Sequence, residues 1–204
     1  MKTFLKIVTY VIFPIAILVL VYLIYDSVNQ PVEFNRETQK REAVAIERLK
    51  AIRTLQEAYK SSTGRYMSTT DSLIDFYKNG TITIVKQIGS MDDSVAVAQH
   101  RVKREKINIP VKDTLLKDKG SYIDSIAFIP FSGGKRVQMQ AIVRSVSGVH
   151  IPLFEATVPY DDLLLGLDRQ LIVNLKAERE DLGKYPGLKV GDIENPNNNA
   201  GNWE

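Results

Sequence analysis

The sequence predicts an α+β fold led by one very long helix, and three features point to it. Residues 7–25, IVTYVIFPIAILVLVYLIY, form an uncharged apolar run, and the charged stretch after it carries apolar residues at three- and four-residue intervals. Residues 122–158 contain β-branched, alternating segments broken by short glycine turns. Residues 160–184 then return to helical spacing, with leucines interleaved among charges.

At helical rise, the 7–25 run is long enough to cross ~30 Å of hydrocarbon, which makes it a transmembrane anchor with the lipid bilayer as its partner. Lys2 and Lys6 precede it while Asp26 and Glu33 follow, so residues 1–6 are placed in the cytoplasm and the remainder outside. The expected location is the inner membrane, crossed once, with the domain in the periplasm. The run is longer than a signal-peptide core and closes with Leu23, Ile24, Tyr25 and Asp26 rather than a small-x-small site, so the anchor is expected to stay attached. Pro14 sits within it and removes one backbone donor.

Residues 26–62 read as a long amphipathic helix, with Ala43, Val44, Ile46, Leu49, Ile52, Leu55, Ala58 and Tyr59 on the apolar side. Glu37 and Arg41 stand at the favourable i,i+4 spacing, and Gly64 supplies the stop. Pro31 alone separates this helix from the anchor, so the two are expected to run nearly continuously. Residues 63–185 form the α+β globular part. A capped short helix runs from about Ser68 to Gly80, followed by a strand over 81–88, a turn at 90–93 and, over 95–102, a weakly alternating segment that reads as a strand or alternatively as a helix. A single turn is expected near 110–116. Strands over 122–131, 136–146 and 149–158, joined by Ser132-Gly133-Gly134 and Ser147-Gly148, form an antiparallel meander. The helix over 160–184 completes this part, and residues 186–204, rich in Gly, Pro and Asn, read as loop throughout.

Composition narrows the function. The 27 basic and 24 acidic side chains, with Lys2 and Lys6 among the former, leave the domain near neutrality, a poor footprint for nucleic acid. The absence of cysteine excludes disulfides and thiolate chemistry. His100 and His150 lack metal-site companions, and the serine-glycine segments lack the patterns of a nucleophile elbow or P-loop, so they read as turns. Asp161 and Asp162 read as helix-start carboxylates. Arg101, Lys103, Arg104 and Lys106, interrupted by Glu105, read as a solvated strand edge or helix face. With no convergent nucleophile, base and oxyanion site, the chain is not expected to be an enzyme.

An apolar leading helix running into an amphipathic one, then an antiparallel sheet, resembles the type IV pilin and type II secretion major pseudopilin plan. Residues 51–76, AIRTLQEAYKSSTGRYMSTTDSLIDF, are similar to the pseudopilin stretch where the helix ends near a tyrosine and passes through Gly64-Arg65-Tyr66 into a short helix. The closing AGNWE, residues 200–204, is similar to the Gly-Asn/Ser-Trp-Asp ending of major pseudopilins. The chain departs from the family where Thr3 stands in place of the glycine before Phe4, where Val8 replaces the intramembrane glutamate, and where Met67 replaces a proline. The resemblance therefore implies a divergent, uncleaved relative without the prepilin-peptidase motif: a pilin-like fold serving protein assembly in a secretion or surface-appendage system.

Under that reading Glu37, Arg41, Ile46, Leu49, Ile52, Leu55 and Tyr59 mark an assembly helix meeting other envelope proteins or further copies, with some of the apolar four held in the chain's own core. The alternative is a solitary envelope adaptor that captures a partner protein, for example through a sheet edge. Major pseudopilins bind calcium in this last loop, so calcium is the one candidate cofactor, with Asp192, Glu194, Asn197, Asn198 and Asn199 as oxygen donors. The competing reading is an Asn-rich surface loop whose amides satisfy its own turns. Trp203, the sole tryptophan, is expected to peg the tail to the domain.

Overall fold

A computed structural model describes residues 8–88, 103–146 and 148–204. The turn expected at 90–93, the strand or helix expected over 95–102, His100, Arg101 and Ser147 lie outside the described residues.

One helix dominates. A π-helical turn, Val8–Ile12, leads into α1, Phe13–Thr63, which carries the chain from the apolar run into the domain without a break. Pro14 falls in the first turn of α1, where no backbone donor is needed; Pro31 lies inside it. The helix ends as the sequence predicts, with Gly64 at φ 77° and its N–H donating to Lys60 O. In α1 no residue before Phe34 is buried, whereas Phe34, Thr38, Ala45, Leu49, Ile52 and Gln56 form one buried stripe beyond it.

Helix α2, Thr70–Asn79, is capped by Thr69 Oγ1, which accepts from Ser72 N at 3.3 Å. Its end at Gly80 is dictated by space, since a Cβ there would lie 2.3 Å from Phe76 O. Strand β1, Thr81–Ile88, pairs antiparallel with β2, Lys103–Pro110, as a separate two-stranded sheet. The basic run therefore opens a strand. The expected single turn is α3, Val111–Thr114.

The strand expected over 122–131 is not formed. Residues Lys117–Ala127 make a 3-10 helix, and only Phe128 bridges Arg136. The reason is spacing: Ile123 and Ile126 are both buried, three residues apart, and side chains three apart align in a 3-10 helix. Alternation would have split them between two faces.

The main sheet has the order β3-β4-β5, with β3 Gln138–Val146, β4 Val149–Pro159 and β5 Gly187–Gly191. Register places Met139 and Ala141 of β3 opposite Ala156 and Phe154, and Leu188 and Val190 of β5 opposite Val158 and Ala156. This inner face joins Leu49, Ile52 and Leu55 of α1 in one core. Strand β5 corrects the expectation that residues 186–204 are loop throughout. Leu188 and Val190 alternate inward, and the flanking glycines allow close approach: a Cβ on Gly187 would lie 2.3 Å from Val158 O. The helix expected over 160–184 is likewise two pieces, α4 Tyr160–Leu163 and α5 Arg169–Asp181. Gly166 breaks it at φ 88°, and Asp168 restarts it by accepting from Leu171 N at 3.0 Å. The sheet is therefore not a simple meander, because two helices separate β4 from β5. At the scale of class the fold is α+β, with an apolar leading helix and small antiparallel sheets.

Candidate interaction surface

The residues singled out on α1 divide by the side of the helix they occupy. Leu49, Ile52 and Leu55 are fully buried within the chain's own core and face no neighbour. Ile46 and Tyr59 are half-buried against that core, with the Tyr59 ring edge-on to Phe76 at 5.2 Å. Glu37 and Arg41 do pair, at 3.3 Å, and this bond from Arg41 holds the Glu37 carboxyl below its usual range. Arg41 also works inward, donating to Leu163 O at 3.2 Å and Leu165 O at 3.0 Å while its guanidinium lies 5.0 Å from the Phe131 ring centroid. It ties the end of α4 to α1.

What α1 leaves open is the opposite side. Val28, Val32, Gln39, Ala43 and Val44 are exposed, Val28 at 63% and Val32 at 59%. Val28 and Val32 continue the apolar surface of the leading segment upward for two turns. Between α1 and the α4–α5 connection lies a cavity of about 490 Å³, lined by Glu33, Arg36, Glu37, Lys40 and Asp168 among others. Gln30 closes its lower end by donating to Asp168 Oδ2 at 2.9 Å.

Several anchoring residues escaped the sequence reading. Gln56, fully buried, donates to Met67 O at 2.7 Å and accepts from Met67 N at 2.9 Å. Arg48 donates to Ser125 O and Phe128 O at 2.9 and 2.7 Å, capping the 3-10 helix; its burial draws the guanidinium pKa down. Tyr160, also fully buried, donates to Glu42 at 2.6 Å, and burial together with that carboxylate raises the phenol pKa. Polar residues inside an apolar stripe were the available signal, but sequence alone does not name their partners.

In the tail, Asp192, Asn197 and Asn199 take part in hydrogen bonds of the loop and its neighbours. Asp192 Oδ1 accepts from Glu194 N and Asn195 N at 2.7 and 2.8 Å, and its Oδ2 takes Lys189 Nζ at 2.8 Å. Asn197 donates to Ala200 O, and Asn199 to the Tyr66 hydroxyl at 2.8 Å. Glu194 is exposed and Asn198 sits at φ 54°. Among the described residues no group of three or more His, Cys, Asp or Glu side chains is placed to hold a metal. Trp203 is half-buried and packs against the core.

The described chain has one helix long and apolar enough to cross a membrane, α1, with a window of mean hydropathy 1.6 that is 0% buried. No family model matches the chain, and neither curated proteins nor solved structures provide a match.

Proposed function

We propose that this chain is a membrane-anchored, pseudopilin-like assembly protein whose domain stands outside the cytoplasm and acts through contacts with other proteins rather than by catalysis. The observation that carries this reading is the continuity of α1: a lipid-length apolar segment with no buried side chain passes directly into the helix that organises the domain core. A rigid link of this kind fixes the height of the domain above the bilayer. Holding copies in one plane also raises their effective concentration for lateral contact. With Leu49, Ile52 and Leu55 turned inward, the side of α1 left open for lateral contact runs along Val28, Val32, Gln39 and Ala43.

Single cysteines at Gln39 and Ala43 test this in a chain that has none of its own. Oxidation in native membranes is expected to give disulfide dimers at both positions, with the domain protected from protease in intact cells and cleaved in spheroplasts. A monomeric band throughout, or a domain digested only after lysis of the inner membrane, would sink the proposal. The adaptor reading draws on a separate observation: Ile84 and Ile107, paired across β1 and β2, are 38% and 36% exposed and present an apolar face. Co-purification of a foreign protein that is lost with Ile84→Asp would favour it.

A further inference from the structure

The cavity of about 490 Å³ beside α1 lies just past the apolar segment. Gln30, at its lower end, stands five residues beyond Tyr25, roughly 7–8 Å at helical rise. The headgroup layer on each side of a bilayer is roughly 5–7 Å thick, so a chain anchored through its apolar segment holds the mouth of the cavity at that layer. Gln30, Glu33, Glu37 and Lys40 follow at three- and four-residue intervals along one side of α1, and residues 166–168 form the facing wall. That side is turned away from Val28 and Val32, so the cavity is separate from the proposed lateral face.

The lining carries both signs. Arg36 and Lys40 supply two cations, and Glu33, Glu37 and Asp168 supply three carboxylates. Arg36 meets no acceptor among the described residues, which leaves its forked N–H donors open. Lys40, one turn further on, makes only a long 3.5 Å contact to Glu37 Oε2 and keeps further donors. Both side chains lean toward the amino-terminal end of α1, which is the bilayer end of an anchored chain. Among the acids, Asp168 is engaged by Leu171 N and Gln30, and Glu37 by Arg41, whereas exposed Glu33 takes a single 3.4 Å bond from Asn29. Asp26 stands one turn below Gln30 on the same side.

We infer that this cavity seats the headgroup of a membrane phospholipid bearing a primary ammonium, its phosphate on Arg36 and Lys40 and its ammonium on Glu33. Charge-assisted bonds from two cations one turn apart suit phosphate oxygens. An anionic headgroup would face the same two cations among three carboxylates, with Asp26 beneath, and so gains less. A choline headgroup has no N–H to give Glu33. The volume falls within the span of small-ligand sites, roughly 300–1,000 Å³. The inference rests on the reading of the apolar segment as a membrane anchor, because that reading is what brings lipid to the mouth of the cavity.

The test uses the full-length chain, delipidated in detergent and titrated with phosphatidylethanolamine, phosphatidylcholine or phosphatidylglycerol of identical acyl chains, with bound lipid counted by native mass spectrometry. Phosphatidylethanolamine is expected to be retained at about fivefold lower concentration than either of the others. Arg36→Gln with Lys40→Gln is expected to weaken its retention about tenfold, and Glu33→Gln to remove the preference over phosphatidylcholine. All three positions are exposed, so these variants are expected to unfold within about 2 °C of the parent. Equal retention of the three lipids, a preference for phosphatidylglycerol, or a preference that these substitutions do not move overturns the site. Glycerophosphoethanolamine, the same headgroup without acyl chains, is expected not to displace the lipid; displacement would make a soluble phosphate ester the ligand and overturn the membrane source. An unselective chain that still fractionates with membranes loses this site alone, whereas a chain missing from the membrane fraction loses the anchor reading as well.

Discussion

At the residue scale, the buried polar groups are the places where one atom decides most. Gln56 lies in the apolar stripe of α1 and satisfies both the N–H and C=O of Met67. Truncation leaves two part-buried backbone groups unmet as well as a small cavity at the buried Gln56 site, so Gln56→Ala is expected to lower stability by about 2–4 kcal/mol. For a domain of this size that corresponds to a fall in Tm of roughly 5–15 °C, measured by thermal unfolding in detergent. Asp192 gives a pH signature. Burial alone would push its carboxyl up, but the Lys189 ammonium and the two backbone N–H groups outweigh it and hold the pKa below the ordinary carboxylate value. A carboxyl depressed in the folded state adds stability above its unfolded pKa and loses that contribution as pH falls through the folded value. Asp192→Asn is therefore expected to cost about 1.5–3 kcal/mol at neutral pH. Denaturation curves should show the gap narrowing from pH 5 toward pH 2; a gap constant over that range would mean the charge is not what Asp192 contributes.

At the element scale, Pro31 stands out because α1 runs through it. A proline inside a helix forfeits one i to i−4 hydrogen bond, a loss of about 3 kcal/mol in a helix interior. Pro31→Ala is thus expected to stabilise α1 locally and to slow hydrogen exchange of the amides over residues 28–34, read by mass spectrometry. Faster exchange there would show that the proline's packing near α5 outweighs the missing bond. The same scale shows how far the sequence could be read. Elements bounded by local chemistry were legible: the stop at Gly64, the Thr69 cap, and the strand pair Gln138–Val146 and Val149–Pro159 around Gly148. Elements set by tertiary partners were not. YIDSIAF has strand-like residues, yet Arg48, from a distant part of α1, accepts the role of cap for its carbonyls and favours a 3-10 turn. GLKVG looked like loop because its two glycines were read as flexibility, when they are sites where neighbouring backbone leaves no room for a side chain. Periodicity finds the apolar stripe of α1 but does not say which of its residues the sheet of the same chain covers; Leu49, Ile52 and Leu55 are the ones it buries.

At the scale of the whole molecule, α1 divides into an uncovered apolar part and a part that the domain packs against. The large apolar residues from Phe13 to Tyr25 are 47–69% exposed, and none is covered by another part of the chain. An uncovered apolar surface of this size suits hydrocarbon, the environment proposed for this segment. The domain begins to bury α1 only at Phe34, six turns after its start, so the two halves are energetically separable. Leu18→Arg places a charge near the middle of the apolar segment at about 2.5–3.5 kcal/mol. It is expected to reduce the carbonate-resistant membrane fraction several-fold while leaving the domain's Tm within about 1 °C of the parent, since a change away from the core has little effect on folding. The paired readout is what makes the result informative. An equal loss of Tm would mean that the apolar segment is part of the domain's own fold, and full retention in the membrane would mean that this segment is not what holds the chain there.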